Sequence, residues 1–202
     1  MPLIRKPSSP VESPAPDGRA ISELLATGSD DERWNAARSA PMHPDAVPLL
    51  AAALSRERVE RVREAIFTAL AKIGSSESAA VTLPYIRSDD AAQRTAALDA
   101  LRAMPAAAAE HLPQLLEDAD ADVRLLACEI ARAMPGDDAS LLLANLIARE
   151  GNPNVCAAAI EVLTETGNVA SLPSLAHCAA RFPDDPFLAF AIKVAGDRIG
   201  SR

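Results

Sequence analysis

Aromatic residues are scarce in this chain, where one Trp, one Tyr and four Phe make up 3% of the 202 residues. The hydrophobic share is nevertheless 49%, so the core must be built largely from Ala, Leu, Val and Ile. Small side chains of this kind let helices approach closely and pack in regular repeats. The scarcity of rings also leaves little with which to sandwich a large conjugated ligand.

Sequence motifs for catalysis are absent as well. The chain has no Gly-rich phosphate loop, no Cys-x-x-Cys and no Gly-x-Ser-x-Gly. Its histidines are His43, His111 and His177, and the last two fall at different phases of their helices, so no face gathers a set of metal ligands. The sequence therefore predicts a protein that is not an enzyme and that holds no metal or cofactor.

The lack of long apolar stretches and of excess positive charge indicates where the protein is located and which partners it could bind. No stretch is apolar enough for a signal peptide or a membrane span, so we expect a cytoplasmic protein with no membrane partner. The net charge is −8 and acids alternate with bases at the exposed positions, which does not suit binding to nucleic acid. Cys128, Cys156 and Cys178 are an odd count, and we expect small core residues rather than disulfide partners.

What the chain does have is a phrase that recurs about every 31 residues. One copy runs from Arg94 to Pro105, with Ala97, Ala100 and Leu101 at helical spacing. Related copies begin at Arg33, Arg63, Arg124, Cys156 and Leu188. Self-similarity with a fixed period of this length is the signature of a solenoid, in which similar units stack along one axis.

A second marker, a Leu-Pro-x-Leu phrase, precedes each of the last five copies in register. It stands at Val47-Pro48, Leu83-Pro84, Leu112-Pro113, Leu143-Ala144 and Leu172-Pro173. Proline in an apolar run with helical spacing starts or bends a helix. Each unit is therefore predicted as two helices, and the chain as an all-α solenoid of about six helix pairs.

Polar turns predict where each second helix begins. Asp, Asn or Ser stands there at 29–31, 88–90, 120–122, 152–154 and 184–185. Their side-chain oxygens can accept hydrogen bonds from the unpaired first-turn amides, and carboxylates suit the positive end of a helix. Gly or Pro at positions 74, 105, 135 and 167 then predicts where the helix ends.

This pattern resembles the HEAT-repeat family, in which a Leu-Pro-x-Leu first helix precedes a second helix with an Asp-x-x-Val-Arg-like opening and a small-residue spine. The best copy is Asp120 to Pro135, where Asp122-Val123-Arg124 stands intact. The resemblance covers residues 18 to 200, about nine tenths of the chain. It implies a right-handed α-α superhelix over residues 18–202, similar to bacterial proteins with HEAT-like repeats.

Residues 1–17 stand apart from the repeats. They contain five Pro and three Ser, with Arg5 and Lys6 near the start and no helical periodicity. This composition predicts a disordered Pro/Ser-rich tail. The alternative is a short recognition peptide within the tail.

The repeat phase also predicts which face of each second helix is exposed. We call the first residue of each copy, at 33, 63, 94, 124, 156 and 188, its phase residue. Counted from it, positions 3, 4, 7 and 10 are apolar, positions 2 and 6 widen this buried arc, and positions 1, 5 and 8 are left for solvent. The resemblance to HEAT repeats places the exposed side on the concave surface. The candidate residues for binding a partner protein there, called the stripe below, are Glu64, Thr68, Thr95, Asp99, Arg102, Leu125, Glu129, Arg132, Glu161, Thr164 and Lys193.

The stripe indicates an adaptor or scaffold that binds a partner protein or peptide, in a signalling or assembly complex. Apolar contacts would supply affinity, and the acids Asp99, Glu129 and Glu161 with the bases Arg102 and Arg132 would select the partner. The alternative is a merely solvated face, because acid and base spaced by three residues can neutralise each other on one helix.

The Arg repeated at positions 33, 63, 94 and 124 invites comparison with an anion site. It stands at the start of the second helix, just behind acidic turn residues. We therefore predict that it forms Arg-to-Asp hydrogen bonds between neighbouring units and fixes their stacking.

Two groups of enzymes with related repeats supply further alternatives. Deoxyhypusine hydroxylases hold iron through repeated His-Glu dipeptides, whereas this chain has only the reversed Glu110-His111, which argues against that activity. The alanine-rich units also resemble those of bilin-attaching lyases, which bind a tetrapyrrole and present it to an acceptor cysteine. That resemblance implies, as the alternative function, a lyase-like or chaperone-like protein that handles a bilin or another cofactor for an acceptor protein.

Overall fold

The computed structural model describes residues 18–201, so the predictions for the tail at 1–17 lie outside it. The structure is 80% helix, and no strand occurs in the described residues, which confirms the all-α prediction. The helices are α1 (Gly18–Thr27), α2 (Asp30–Ser39), α3 (Ala46–Leu54), α4 (Glu60–Ile73), α5 (Ser76–Thr82), α6 (Ala91–Ala103), α7 (Pro105–Ala109), α8 (Leu112–Leu115), α9 (Ala121–Ala131), α10 (Gly136–Arg149), α11 (Pro153–Thr166), α12 (Leu172–Arg181) and α13 (Pro186–Gly200).

Second helices form one continuous layer. They are α2, α4, α6, α9, α11 and α13, and each holds the phase residue of its repeat near its start. Each one contacts the next along the chain. The described residues thus contain the six predicted helix pairs, and equivalent faces of successive repeats lie side by side.

First helices break where proline occurs. The helix α5 ends before Leu83-Pro84 and continues as the 3-10 helix Leu83–Arg87, and Pro113 and Pro173 lie in the first turns of α8 and α12. In the fifth pair Ala144 replaces the proline, and α10 runs unbroken for 14 residues. Proline lacks an amide hydrogen and clashes with the preceding turn, so this one replacement accounts for the difference.

Side-chain caps start the second helices as predicted, with one exception. The first-turn amides donate to the side chains of Ser29, Asp90, Asp120, Asn152 and Asp185. The exception is α4, whose N-cap residue is Val59 and has no side-chain cap. Each cap satisfies donors that helix geometry leaves without a partner, so the polar turns fix the boundaries.

Two glycines end second helices for different reasons. Gly74 has a φ of 65°, the left-handed conformation that closes a helix and that side chains disfavour. Gly167 has ordinary extended angles, but a Cβ there would lie 2.4 Å from the carbonyl oxygen of Leu163 and 2.7 Å from Cδ1 of Ile199. The end of α11 therefore packs against α13 at a distance that only glycine permits.

A single apolar core runs through all the pairs. Its spine along the second helices consists of small residues, such as Ala37, Ala97, Ala127 and Ala159, all fully buried. The three cysteines are buried and free, which confirms that they are core residues. Burial raises the pKa of two of these thiols, at positions 128 and 156, to about 12.

Ion pairs join neighbouring repeats through the repeated Arg. Arg33 donates two hydrogen bonds to Glu57 at 2.7 and 3.1 Å, and Arg124 donates two to Glu150 at 2.7 and 2.9 Å. Both carboxylates precede the second helix of the next pair and are almost fully buried. The predicted stacking role is confirmed at these positions, although the partner is Glu rather than Asp.

Arg63 and Arg94 differ from each other. Arg63 donates to Asp90, the N-cap of the next second helix, at 2.8 Å, which is the predicted Arg-to-Asp bond. Arg94 donates instead to the carbonyl of Ser88 in its own turn at 2.5 Å, so the prediction of a bond to the next unit is wrong there. The acid of that next turn, Asp118, accepts a hydrogen bond from Arg87.

Candidate functional site

Two grooves lie on the exposed side of the second-helix layer. The first, which we call the N-terminal groove, runs between α4 and α6 and has a volume of about 640 Å³. Its walls carry Glu64 and Thr68 from α4 and Thr95 and Asp99 from α6. The buried ring of Phe67 and several alanines line it as well, so acidic and hydroxyl groups surround an apolar surface.

A second groove, the C-terminal groove, lies across α9, α11 and α13 and has a volume of about 570 Å³. Leu125 and Glu129 of α9 form one side, and Glu161, Thr164 and Glu165 of α11 form the middle. Leu125 is half-buried, so it supplies an apolar contact surface beside the carboxylates.

The far wall of the C-terminal groove is an exposed apolar surface on α13. Phe187 and Phe190 are each 67% exposed, and Val194 is 41% exposed. These three side chains lie on one side of α13, because they are spaced by three and four residues. Ala191 and Arg198 complete this wall.

The exposure of Phe190 and Val194 corrects the sequence analysis, which assigned positions 2 and 6 to the buried arc. At these positions α11 has Ala158 and Val162, which are half-buried and buried respectively, because α13 packs beside α11. The helix α13 itself packs on α11 and α12, and no helix follows it within residues 18–201. The same sequence positions therefore face the groove and solvent in the last described repeat.

An ionic cluster connects the walls of the C-terminal groove. Arg132 of the segment after α9 donates to Glu129 at 3.3 Å, to Glu161 at 3.2 Å and to Glu165 at 2.5 Å. Its guanidinium is largely enclosed, since the side chain is only 18% exposed. Burial acts to lower the pKa of Arg132, but its bonds to Glu129 and Glu165 outweigh burial and raise the pKa. One cation thus bonds three carboxylates, and the net charge of the cluster is negative.

The stripe falls largely within these two grooves. Eight of its eleven residues line them, four in each. Of the other three, Arg102 pairs with Asp99 at 3.7 Å, Arg132 bridges the acids of the C-terminal groove, and Lys193 is exposed on α13 outside the lining of either groove. The acid and base pairs spaced by three residues do form, as the alternative of self-neutralisation requires, but Arg132 also reaches the next repeat.

The sequence analysis missed several residues of the C-terminal groove, among them Glu165, Phe187, Phe190, Val194 and Arg198. Glu165 lies at position 9 of its helix, which was not assigned to the exposed side. The sequence did contain a signal for Phe187 and Phe190, because three of the four Phe of the chain fall between positions 182 and 190. In a sequence so poor in rings, this concentration distinguishes the segment around α13 from the other repeats, although Phe182 itself packs against the core.

Residues 18–201 were compared with the requirements of a metal site and of a membrane-spanning helix. Residues 18–201 contain no group of three or more His, Cys, Asp or Glu side chains placed to hold a metal ion. None of the helices described above combines the length and the apolar character needed to cross a membrane.

Comparison with known proteins identifies the repeat. A family model for HEAT repeats matches residues 19–102 and 109–194. Among solved structures, the chain is 19% identical to the complex of CpcE and CpcF of phycocyanin lyase from Nostoc sp. PCC7120, with coverage of 99% of this chain and 94% of that chain and a TM-score of 0.46. Human deoxyhypusine hydroxylase in complex with glycerol is 19% identical, with coverage of 90% and 84% and a TM-score of 0.44. An engineered protein is 17% identical, with coverage of 90% and 95% and a TM-score of 0.45.

These likenesses to solved structures concern the fold alone, since the identities are 17–19%. No curated protein matches the chain by sequence.

Proposed function

Since this chain belongs to the HEAT-repeat family, we propose that it is a non-enzymatic adaptor or scaffold that binds a segment of a partner protein along the stripe. The observation that carries the proposal is the pair of grooves on the second-helix layer. Both combine apolar surface with charged groups at the rim, the combination from which protein interfaces draw affinity and selectivity.

Binding of a protein segment suits this surface better than binding of a small polar substrate. The grooves are open troughs along the repeats, and their charges are side-chain carboxylates and guanidiniums rather than a converging set of catalytic groups. Extended surfaces of this kind in repeat proteins serve to bind other macromolecules.

The test begins with a partner captured by pull-down and identified by mass spectrometry, whose affinity is then measured by calorimetry. Charge reversals in each groove, Asp99→Lys and Glu161→Lys, should weaken binding, whereas Glu23→Lys on α1 and Glu77→Lys on α5 should not. Asp99 is 65% exposed, so its reversal should change the free energy of unfolding by less than about 0.5 kcal/mol. Glu161 is 69% exposed but also bonds Arg132 at 3.2 Å, so the melting of Glu161→Lys is measured beside its affinity. Unchanged affinity in both groove variants would move the interface off the stripe.

Glu129 is unsuitable for this test, although it is central in the stripe. Its carboxylate is largely enclosed and bonded to Arg132, so Glu129→Lys would bring two cations together in a sheltered place. That variant would lose stability as well as charge, and the two effects could not be separated.

A further inference from the structure

The C-terminal groove combines the two features that define a binding site for an amphipathic helix. Its α13 wall exposes Phe187, Phe190 and Val194 over about 10 Å, the rise of seven helical residues. Its α11 side presents Glu161 and Glu165, which are 69% and 50% exposed at their side chains. The apolar strip and the acids lie across the same trough.

The charge of this groove has a definite sign. Its acids are Glu129, Glu161 and Glu165, and the cations near them are Arg132, which bonds all three, and Arg198 on the α13 wall. Three carboxylates and two guanidiniums leave one negative charge. The groups that α11 contributes are acids with exposed side chains, whereas Arg198 is exposed on the opposite wall. A ligand that brings a Lys or Arg side chain to α11 would complete the charge balance.

The shape of the site favours a helix over an extended strand. Residues 18–201 contain no sheet and hence no strand edge to which a peptide could add by backbone hydrogen bonds. A helix needs no such partner, because its backbone is already bonded internally, and it docks through apolar side chains at positions i, i+3 or i+4, and i+7. That spacing equals the spacing of the exposed residues on α13.

We propose that the C-terminal groove binds an amphipathic helical segment of another protein, with apolar side chains on one face and a Lys or Arg flanking them. This deepens the proposed function, on which it rests, by assigning the subsite and the chemistry of the partner. A second copy of this chain is a poorer occupant, because two chains of net charge −8 would face each other across acidic clusters.

The probe is a synthetic 18-residue peptide with Leu on one helical face and Lys elsewhere, labelled for fluorescence anisotropy. An acidic twin has Glu in place of Lys, and a scrambled peptide keeps the Lys and Leu composition without a continuous apolar face. We expect the basic amphipathic peptide to bind at least about tenfold more tightly than either of the others, the ratio that corresponds to one good apolar or charged contact.

Matched variants locate the site. Phe190→Ser should weaken binding of the basic peptide about tenfold or more, whereas Leu141→Ser on α10, which removes a side chain 64% exposed outside the groove, should leave it unchanged. Glu161→Lys should weaken binding at low salt and lose most of its effect at high salt, because the charges are near solvent. Circular dichroism and melting of each variant check that the fold is kept.

Several outcomes would overturn the assignment. Equal binding of the basic and acidic peptides would refute the charge argument, and equal binding to wild type and Phe190→Ser would refute the apolar wall. Loss of binding in Asp99→Lys alone would move the site to the N-terminal groove, which leaves the proposed function intact. Self-association that Phe190→Ser abolishes would make a second copy the occupant, and tighter peptide binding after removal of residues 1–17 would point to the chain's own tail.

Discussion

Replacing Arg124 with Met would measure how strongly an ion pair joins two neighbouring repeats. The guanidinium donates to both carboxylate oxygens of Glu150 at 2.7 and 2.9 Å, and also to the carbonyl of Asp118 at 2.7 Å. The Glu150 side chain is only 4% exposed. Met keeps the apolar stem of Arg but removes every donor, so an enclosed carboxylate loses its counter-charge.

The expected loss is large for one side chain. Removing one partner of a buried ion pair costs about 3–5 kcal/mol, because the remaining charge is left without compensation. Single domains are stable by only about 5–15 kcal/mol in total. At about 2–4 °C per kcal/mol for a chain of this length, the melting temperature should fall by about 6–20 °C.

Urea unfolding followed by circular dichroism would test this with two companion variants. Arg149→Met breaks a pair of similar geometry, 3.0 Å from Glu117, but both side chains are more than half exposed, so the cost should stay below about 1 kcal/mol. Combining Arg124→Met with Glu150→Gln removes the buried charge and should recover about 2 kcal/mol. Equal losses in Arg124→Met and Arg149→Met would refute the reasoning from burial.

The pH dependence of the same variant provides an independent check. Burial acts to raise the pKa of Glu150, but hydrogen bonds from Arg124 and the amide of Asn152 outweigh it, so the pKa is lowered in the fold. Such a carboxyl stabilises the fold above its unfolded pKa, about 4.3, and loses that contribution as the pH falls through the folded pKa. The stability gap between wild type and Arg124→Met should therefore be widest near pH 7 and shrink below about pH 5.

Three further predictions concern packing. The three buried thiols should react with Ellman's reagent at pH 8 far more slowly in the native protein than in urea, and rapid reaction of all three without denaturant would contradict their burial. Ala144→Pro should lower the free energy of unfolding in urea by about 3 kcal/mol or more because it breaks α10, whereas Pro173→Ala at the start of α12 should cost little. An unchanged free energy in Ala144→Pro would show that α10 can be broken by proline without loss of stability. Gly167→Ala should cost about 1–3 kcal/mol through its clash with Ile199, while Gly151→Ala, with no atom within 4 Å, should be near neutral, and similar melting of both would disprove the close contact.

The repeat architecture could be predicted because its signals are local. Caps such as Asp90 and Asp120 act within one helical turn, and Pro84 breaks its helix through its own missing amide hydrogen. Because the same signals recur in six units at a fixed spacing, they were sufficient to predict a helical solenoid. The partner of Arg94 was mispredicted because the acid of the next turn, Asp118, bonds Arg87 of another element, and the spacing of the repeated Arg does not show this.

The candidate site was less predictable because it depends on contacts between repeats. Arg132 meets Glu161 and Glu165 across 29 and 33 residues of sequence, and helical periodicity carries no information about that register. Phe190 and Val194 sit at positions that are half-buried and buried, respectively, in α6, α9 and α11, and periodicity cannot show whether another helix covers them. The assignment of individual exposed residues therefore required the stacking of whole helices.

The caps of the second helices have a consequence for the array as a whole. Each second helix contacts the next, and unpaired first-turn amides give each one a positive pole, those of α6, α9 and α13 included. A carboxylate from Asp90, Asp120 or Asp185 stands at each of these poles.

Acid should therefore weaken the array at an inner repeat as well as at its ends. The hydrogen bond from the backbone amide of Gln93 is the main cause of the lowered pKa of Asp90. This carboxylate therefore stabilises the fold at neutral pH, and its contribution is lost as the pH falls through its folded pKa. Once Asp90 is protonated, the positive pole of α6 would lack a neutralising charge, and a dissolved anion would take the place of the carboxylate. At low pH the stability of this part of the array would then depend on the salt concentration, whereas at neutral pH its own side chain supplies the neutralising charge.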